Sequence, residues 1–471
     1  MVRPVSRRGF LALSGGAALA GALAACSSPL VTSLTGAQPA EGDVIYWNLF
    51  SGGDGANMKL MEDAFATANP SVSYAASTLS WGNPYYTKLA LAIASGRPPN
   101  VGISHLSRLT ELAAAGLVDP VDTAYVESFG LTKDKFTPKA WDKATIDGKT
   151  WAIPLDTHPF VLYYNIKLAK KAGLLNAAGD NLEPAAVNGQ ANFLAAVTEL
   201  QKAAGPGGAG AVMSIIQDPV TCWRFFNVIY PALAGPVVSD NGTKVTVDRE
   251  ALLETFAFLR KLVAAGLSVG TGASASSAFG GGTAGLLFDG EWDIPTYQPL
   301  ADPLPKLYPG LTPKGALWFN VVPYPALVGK KAVSYADSHS FVIPHNPSLS
   351  AERSRDALLF VKSMLDLSYI WAGGGHIPAY LPVQQGLIPA DPAQKFPNRL
   401  PQKNYRDAAY NAVYDPAAWY TGAGSDFQTQ VGGAILGVLN GGSPQAGADE
   451  FVSALKVFSV ERPPVTIGGS A

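Results

Sequence analysis

Cysteine is scarce in this chain, and so are the short motifs that mark common enzymes. The 471 residues include two cysteines and no C-x-x-C pair. They also contain no H-E-x-x-H, Walker lysine loop or EF-hand pattern, and the G-x-S-x-G match at residues 266–270 follows a predicted helix instead of ending a predicted strand. Two G-x-G-x-x-G matches occur. The match that starts at Gly205 follows a predicted helix and precedes a predicted strand, the reverse of a phosphate-binding turn, and the match that starts at Gly280 lies in a predicted loop. No catalytic, metal or nucleotide signature therefore occurs in the predicted structural context that its chemistry requires.

An excess of positive charge is lacking as well. The chain has 34 Lys and Arg against 36 Asp and Glu, a net charge of −2 at pH 7 with histidine neutral. Since no basic stripe is present, we expect no nucleic-acid partner. The composition is 48% hydrophobic and 15% charged. A chain of this length and composition can bury a large core and is expected to divide into two or three domains.

The N-terminal stretch "SRRGFLALSGGAALAGALAACSS" is apolar but too short to span a membrane. Its apolar part, residues 10–25, is shorter than the roughly 20 residues of a spanning helix and is interrupted by glycines. The basic flank, the apolar middle and the small-residue end predict a signal peptide over residues 1–25. Arg7 and Arg8 match the twin-arginine export pattern.

"LAAC" followed by "SS" resembles a bacterial lipobox. The resemblance implies that Cys26 becomes the first mature residue, carries diacylglycerol and anchors the protein to the outer face of the cytoplasmic membrane. Cys222 is then the remaining thiol, which excludes an intrachain disulfide, and we expect it to be buried. Residues 26–42 are rich in Ser, Thr, Pro and Gly and are predicted to form a flexible tether.

From residue 43 onward, predicted strands and helices alternate. "VIYWN", "VSYAAST" and "NVGISH" are typical of buried strands, and "YYTKLALAIASG" and "LSRLTELAAAG" of helices that end at glycine. This alternation predicts an α/β fold with a mostly parallel sheet and a site beyond the carboxyl ends of its strands.

Later segments add hairpins and amphipathic helices. Asp-Gly in "ATIDGKTWAIP" and Asn-Gly in "VVSDNGTKVTV" predict two hairpins. The apolar stripes of "ANFLAAVTELQKAA", "REALLETFAFLRKLVAAG" and "SAERSRDALLFVKSMLD" predict three helices. The Gly-, Ala- and Ser-rich residues 268–285 are predicted to form a mobile loop within a domain.

Neither histidine nor carboxylate spacing predicts a catalytic or metal site. The five histidines never occur at ligand spacing, so a metal site would need three or four of them to converge from distant segments, and we expect none. Asp289, Glu291 and Asp293 in "FDGEWDIP" can serve as the acid and base of a glycosidase or as acceptors for hydroxyl groups. The second role needs no shifted pKa and is easier to meet.

Seven segments carry a family resemblance, in this order: "VIYWNLFSGGDG", "FATANPSVSY", "YTKLALAIASGRPPNV", "ELAAAGLVDPVD", "DGKTWAIPLDTHPFVLYYN", "FDGEW" and "GGGHIPAY". Nearly the whole mature chain resembles the maltose-binding-protein-like solute-binding lipoproteins of carbohydrate ABC importers. The resemblance implies two α/β lobes joined by crossing strands, with the ligand held in the cleft between them. It implies lobe 1 at residues 43–157 plus 323–355 and lobe 2 at 158–322 plus 356–465. It also implies a monomer that needs no cofactor and passes its ligand to a membrane permease.

A sugar has an apolar face and a rim of hydroxyls, so its site combines aromatic rings with polar acceptors. Candidate rings lie at loop or strand ends, and the resemblance favours the tryptophan of "FDGEW". Candidate polar or close-approach residues follow a strand, lie on the first crossing or neighbour glycines. The ligand-binding candidates are Asp54, Trp81, His105, Asp156, His158, Trp223, Glu291, Trp292, Gly375 and His376.

Two alternatives stay open. One is a receptor of the same fold for a glycerophosphodiester, a polyol or a peptide; a phosphate would favour a basic cleft residue, for which Arg97, Arg108 and Arg224 are the candidates. The other is a lipid-anchored glycoside hydrolase that uses two of the carboxylates Asp156, Asp289 and Glu291.

Overall fold

The computed structural model describes residues 44–179, 181–213, 219–269, 272–298, 318–391, 394–396 and 402–459. The expected signal peptide with Arg7 and Arg8, and the expected tether with Cys26, lie outside these residues. Within them, no helix combines the length and apolarity needed to cross a bilayer.

The strands are short except for one ten-residue strand, β8. In chain order they are β1 (Val44–Asn48), β2 (Tyr74–Thr78), β3 (Val101–His105), β4 (Val118–Asp119), β5 (Thr145–Ile146), β6 (Lys149–Thr150), β7 (Ile153–Pro154), β8 (Asp156–Asn165), β9 (Ala209–Met213), β10 (Val238–Ser239), β11 (Lys244–Val245), β12 (Leu267–Val269), β13 (Ala284–Gly290), β14 (Phe319–Val322), β15 (Ala336–Asp337), β16 (His339–Pro344) and β17 (Ile377–Pro378).

The helices vary from single turns to seventeen residues. In chain order they are α1 (Gly52–Ala68), α2 (Asn83–Ala94), α3 (Leu109–Ala114), α4 (Thr123–Ser128), α5 (Pro138–Lys143), α6 (Ile166–Lys171), α7 (Pro184–Val187), α8 (Gln190–Ala204), α9 (Pro219–Ile229), α10 (Arg249–Ala265), α11 (Gly272–Gly280), α12 (Ile294–Tyr297), α13 (Ala351–Asp366), α14 (Ser368–Trp371), α15 (Leu381–Gln384), α16 (Arg406–Tyr410), α17 (Asp426–Leu439) and α18 (Pro444–Phe458).

Two mixed sheets form the scaffold of two lobes. The first has the order β2-β1-β3-β16-β4, with β7 beside β16, and its pairs β1–β2 and β1–β3 are parallel. The second has the order β12-β9-β13-β8-β14, with β15 and β17 also paired to β8. We call each sheet with the helices packed on it the first lobe and the second lobe.

Two of the places where the chain passes between the lobes are adjacent. β7 belongs to the first sheet, and β8 begins two residues later, with Leu155 between them. On the return, β15 pairs with β8, and Ser338 alone separates it from β16 of the first sheet. Because both crossings lie side by side, residues at the start of β8 and β16 meet at the junction of the lobes.

Helix α13 packs on the first sheet. The Phe360 ring centre lies 4.9 Å from that of Tyr46 on β1 and 5.1 Å from that of Phe65 on α1. This helix therefore belongs with the first lobe, whereas the sequence boundary at residue 356 assigns most of it to the second. The other expected lobe boundaries stay a prediction.

The hairpin and the amphipathic helices predicted from local sequence patterns are present in the structure. The Asp147-Gly148 turn between β5 and β6 has φ of 50° and 75°, as a tight primed hairpin turn requires. Helix α13 begins after Ser350, whose hydroxyl accepts from the Arg353 N–H. The three amphipathic segments form α8, α10 and α13.

The Gly-, Ala- and Ser-rich segment is the exception, because part of it forms helix α11 rather than a loop. Ala275 and Phe279, four residues apart, are both buried in the hydrophobic core. Their tertiary packing outweighs the low helix propensity of the surrounding glycines and serines.

Candidate functional site

A cavity of about 240 Å³ lies between the two lobes. It is lined from the first lobe by the loop that enters α1, from the second lobe by α9 and the segment after β13, and from the crossings by two histidines. The lining residues are Leu49, Phe50, Ser51, Gly52, Gly53, Asp54, Trp81, His105, His158, Thr221, Arg224, Asp289, Trp292, Asp293, Thr296 and His339. Five of the ten ligand-binding candidates are among them.

A second cavity, of about 540 Å³, opens beside α5 and includes Trp151 and Tyr414 in its lining. None of the ligand-binding candidates contributes to its wall. We therefore place the candidate site in the smaller cavity.

Two indole rings from opposite lobes flank one arginine in the site. The Arg224 guanidinium carbon lies 4.7 Å from the ring centre of Trp292 and 5.4 Å from that of Trp81. Trp81 also meets the His105 ring edge-on, at 6.0 Å between centres. The cavity thus offers flat apolar ring faces together with a permanent positive charge.

Trp223, predicted as a cleft residue, lies in the core of the second lobe. Its side chain is fully buried, its Nε1 donates to Asp415 Oδ1 at 2.8 Å, and its ring stacks on Phe226. Successive residues on a helix point about 100° apart. On α9 this rotation turns Trp223 towards the core and its neighbour Arg224 towards the cavity.

Next to the cavity, at the junction of the crossings, three histidines surround the Asp156 carboxylate. Asp156 lies 3.1 Å from His158 Nδ1, 2.8 Å from His339 Nδ1 and 3.1 Å from His376 Nδ1. Trp371 Nε1 donates to the same carboxylate at 2.6 Å. We call Asp156, His158, His339 and His376 the cleft floor.

Burial and charge shift the pKa values on the cleft floor in different directions. Burial raises the pKa of Asp156, but His339 and His158 outweigh it and hold that pKa well below its usual value. Burial and the nearby His339 lower the pKa of His158 to about 3. Burial alone lowers the pKa of His376, yet Glu291 and Asp54 raise it well above its usual value. The floor is therefore a buried centre that combines groups of opposite charge.

Asp54 and Glu291 approach His376 from two sides. Asp54 Oδ1 lies 2.9 Å from His376 Nε2, and Glu291 Oε1 lies 3.0 Å from His376 Nδ1. Burial raises the pKa of Glu291 to about 8. Gly375 contributes through its backbone: its φ is +102°, and a Cβ there would lie 2.6 Å from the Glu291 carbonyl oxygen.

His105 lies at the end of β3, as its position in the sequence predicts. Its Nδ1 is 2.9 Å from the Tyr86 hydroxyl, and its ring centre is 4.7 Å from that of His339. Burial lowers its pKa well below the usual value, with His339 contributing in the same direction. A neutral imidazole at this position can accept or donate a hydrogen bond.

Sequence reasoning missed His339 and Trp371 and considered Arg224 only for a phosphate ligand. His339 stands directly opposite His105 in the β3–β16 ladder. That pairing joins residues far apart in the chain, and no local spacing signals it.

The cleft floor also has the composition of a metal site. One ligand atom from each of Asp156, His158, His339 and His376 lies within 4.8 Å of the others. Its three histidines, His158, His339 and His376, come from separate segments. Their spacing along the sequence already required this of any metal site.

A family profile matches this chain over residues 63–398, more than half of its length. The profile describes bacterial extracellular solute-binding proteins. The chain belongs to this family. Its members bind solutes and are not enzymes, and the family places the protein outside the cytoplasm.

Solved structures share the two-lobed fold at low sequence identity. The GacH receptor of Streptomyces glaucescens, solved unliganded and with acarbose, has a TM-score of 0.70 and 18% identity over 89% of this chain and 99% of that one. Maltose-bound MalE3 of T. maritima has a TM-score of 0.69 and 16% identity over 88% and 99% of the two chains. UgpB of Mycobacterium tuberculosis, in complex with glycerophosphocholine, has a TM-score of 0.69 and 14% identity over 89% and 98%.

Among curated proteins, a binding protein of Brucella abortus (strain 2308) is 25% identical over 127 residues. The aligned part is 27% of this chain and 30% of the Brucella protein. This match spans less than a third of the relative's length.

Proposed function

We propose that this protein captures a carbohydrate outside the cytoplasm and delivers it to the permease of an ABC importer. The observation that carries the proposal is the pair of tryptophans, Trp81 and Trp292, which reach the same cavity from opposite lobes. An indole face stacks on the C–H face of a sugar ring. Both rings contact one ligand only when the lobes are closed, so binding shifts the protein towards its closed form.

The polar rim of the cavity suits hydroxyl groups. Asp54, Asp289 and Asp293 supply carboxylate oxygens, and Thr221 and Thr296 supply hydroxyls that accept or donate. A volume of about 240 Å³ favours a small solute of one or two sugar rings. The acarbose and maltose complexes of similar fold support this class.

Arg224 favours a second candidate, a glycerophosphodiester. Its guanidinium projects between the two indoles, where it can pair with a phosphate. The glycerophosphocholine complex of UgpB is of similar fold. Against this candidate, three aspartates line the same cavity and repel an anion.

A thermal-shift screen of the full chain separates the two candidates. Sugars, polyols, glycerophosphodiesters and peptides are each added to the same protein. A ligand at 100 times its dissociation constant adds about 2.7 kcal/mol to the folded state, which moves the midpoint by several degrees. We expect a selective response to a mono- or disaccharide; a response to a phosphodiester alone would overturn the carbohydrate proposal.

The anchor and export route belong to the same proposal. A receptor that serves a membrane permease must stay near it, and acyl chains on Cys26 would hold it there. Arg7 and Arg8 would direct export before cleavage. Intact-mass measurement of the membrane-extracted protein tests the anchor: we expect a chain that starts at Cys26 with an added lipid, and an unmodified full-length mass would contradict this. The export route is either the twin-arginine or the general secretory one.

A further inference from the structure

We propose that the cleft floor is a binding site for a transition-metal dication of the zinc class, held by Asp156, His158, His339 and His376. The proposal concerns a site distinct from the sugar-contacting rings and does not depend on which solute the cavity binds.

The donor atoms are close to the arrangement that zinc requires. Ligand atoms of a tetrahedral zinc site, with bonds of about 2.0–2.1 Å, lie about 3.3–3.5 Å apart. The four donors here all lie within 4.8 Å of one another, so side-chain shifts of about 1 Å suffice. Three imidazoles and one carboxylate form a ligand set suited to Zn²⁺ and its first-row neighbours rather than to Mg²⁺ or Ca²⁺.

The Asp156 carboxylate is overcrowded without an ion. Five nitrogen atoms lie within 3.1 Å of its two oxygens: the Nδ1 atoms of His158, His339 and His376, the backbone nitrogen of His339, and Trp371 Nε1. A carboxylate offers about four acceptor positions. A dication that takes over one or more imidazole nitrogens relieves this crowding.

His376 supplies an independent indication. Its Nε2 faces Asp54 Oδ1 at 2.9 Å, while its Nδ1 faces carboxylates of Asp156 and Glu291 at 3.1 and 3.0 Å. Without an ion, donation in both directions requires the imidazolium form, because a neutral imidazole has one N–H. With an ion on Nδ1, the Nε2–H donates to Asp54, which is the carboxylate–histidine–metal arrangement common in zinc sites.

Glu291 strengthens the case. Its side chain is fully buried, and its carboxylate oxygens make no hydrogen bond of good geometry among the described residues, although Oε1 lies close to His376 Nδ1. A buried carboxylate without a hydrogen bond is costly. Its Oε1, 3.0 Å from His376 Nδ1, faces the same space as the four donors and can serve as a fifth ligand.

The supporting contacts already hold the donors in place. Trp371 Nε1 and the His339 backbone N–H fix Asp156 at 2.6 and 2.8 Å. Asp156 and His158 lie on β8, and His339 lies on β16 of the first sheet. An ion bound here would therefore tie the two crossings together, next to the cavity wall to which His158 and His339 contribute.

Metal titration of the full chain, prepared without a histidine tag and stripped with a chelator, tests the proposal. Zn²⁺ is titrated in competition with a chromophoric chelator, and Co²⁺ is added separately for its visible spectrum. We expect one equivalent of zinc, an intense cobalt spectrum typical of tetrahedral coordination, and a higher melting temperature with metal. Absence of stoichiometric binding would overturn the proposal and leave an imidazolium at His376 as the partner of its carboxylates.

Variants assign the site. His158→Gln and His339→Gln should abolish the cobalt spectrum and weaken zinc binding more than 10-fold. His345→Gln is the matched control: this histidine pairs with Asp119, away from the cluster, and its loss should not change metal binding.

If the cluster variants fail to fold, Asp54→Asn, which removes only the outer partner of His376, should still weaken zinc binding about 10–100-fold. Equal metal binding by all of these variants would contradict the assignment. Sugar binding by the stripped protein, measured separately, shows whether the proposed function survives a negative result.

Discussion

Two buried carboxylates, Asp415 in the second lobe and Asp156 on the cleft floor, have opposite surroundings. Asp415 accepts from Trp223 Nε1 at 2.8 Å, the Tyr335 hydroxyl at 2.9 Å and Gln428 Nε2 at 2.7 Å. All three partners are neutral donors. Asp156 is surrounded by three imidazoles, together with the Trp371 indole N–H and the His339 backbone N–H.

The different partners of Asp415 and Asp156 distinguish a carboxylate that is buried for structural reasons from one that belongs to a functional site. A carboxylate with a complete set of neutral donors holds its surroundings in one arrangement and offers nothing to a ligand. The cleft floor instead places five nitrogen atoms around Asp156, next to the buried Glu291, whose oxygens make no hydrogen bond of good geometry among the described residues. Such an imbalance, a few ångströms from a cavity, indicates a place where something else binds.

The largest expected effect on stability comes from Trp223→Ala, which tests whether the surroundings of Asp415 are a tightly packed core. The substitution empties a fully buried indole site and removes one donor from Asp415, so we expect a loss of about 3–5 kcal/mol in the free energy of unfolding. Urea denaturation measures this loss. Trp223→Phe keeps most of the ring and should lose much less. A loss below 1 kcal/mol for the alanine variant would show that this region is not a tightly packed core.

Glu62 on α1 is another buried carboxylate, which lies outside both the cleft floor and the surroundings of Asp415. Burial raises its pKa from 4.5 to about 7, and Lys59 opposes the shift only in part. Between these pH values the folded protein binds more protons than the unfolded chain, so stability falls as pH rises through this window. Glu62→Gln removes the effect and should stabilise the protein by about 3 kcal/mol at pH 8 and by almost nothing at pH 4.

Denaturation at several pH values measures this difference. Asp63→Asn, on the exposed neighbour, should change stability by less than about 1 kcal/mol at any pH. An effect of Glu62→Gln that is independent of pH would contradict the assigned titration.

The smallest expected change in stability comes from Trp292→Ala. This indole lies at the cavity, so we expect solute affinity to fall about 30-fold, equivalent to about 2 kcal/mol, with less than about 1 kcal/mol lost in folding. Calorimetric titration with the solute found in the screen measures the affinity. Normal solute affinity in Trp292→Ala would show that Trp292 does not contact the solute. The comparison with Trp223→Ala distinguishes a residue of the cleft, which affects affinity, from a residue of the core, which affects stability.

Local sequence signals predicted much of the scaffold. The β1, β2 and β3 strands, the Asp147-Gly148 hairpin and helix α13 follow from patterns within about twenty residues, which chain-local sterics and amphipathicity determine. Helix α11 was missed because its formation depends on the burial of Ala275 and Phe279 against the rest of the fold.

The candidate site was predictable only in part. Asp54, Trp81 and Trp292 stand next to turns or strand ends, which local patterns reveal. The gathering of His158, His339 and His376 depends on pairing between distant strands, and no spacing along the chain encodes it. Trp223 was placed in the site because the orientation of a residue on α9 depends on the exact start of that helix.

The ten fully buried residues of β8 pair with four other strands. Side chains alternate between the two faces of a strand, so the loss or gain of a single residue near its start would turn Asp156 and His158 to opposite faces. Length variation among relatives should therefore be excluded from this strand even where its side chains differ. A receptor of this kind can change its specificity by point substitution around the cavity, but not by insertion into the strand beneath it.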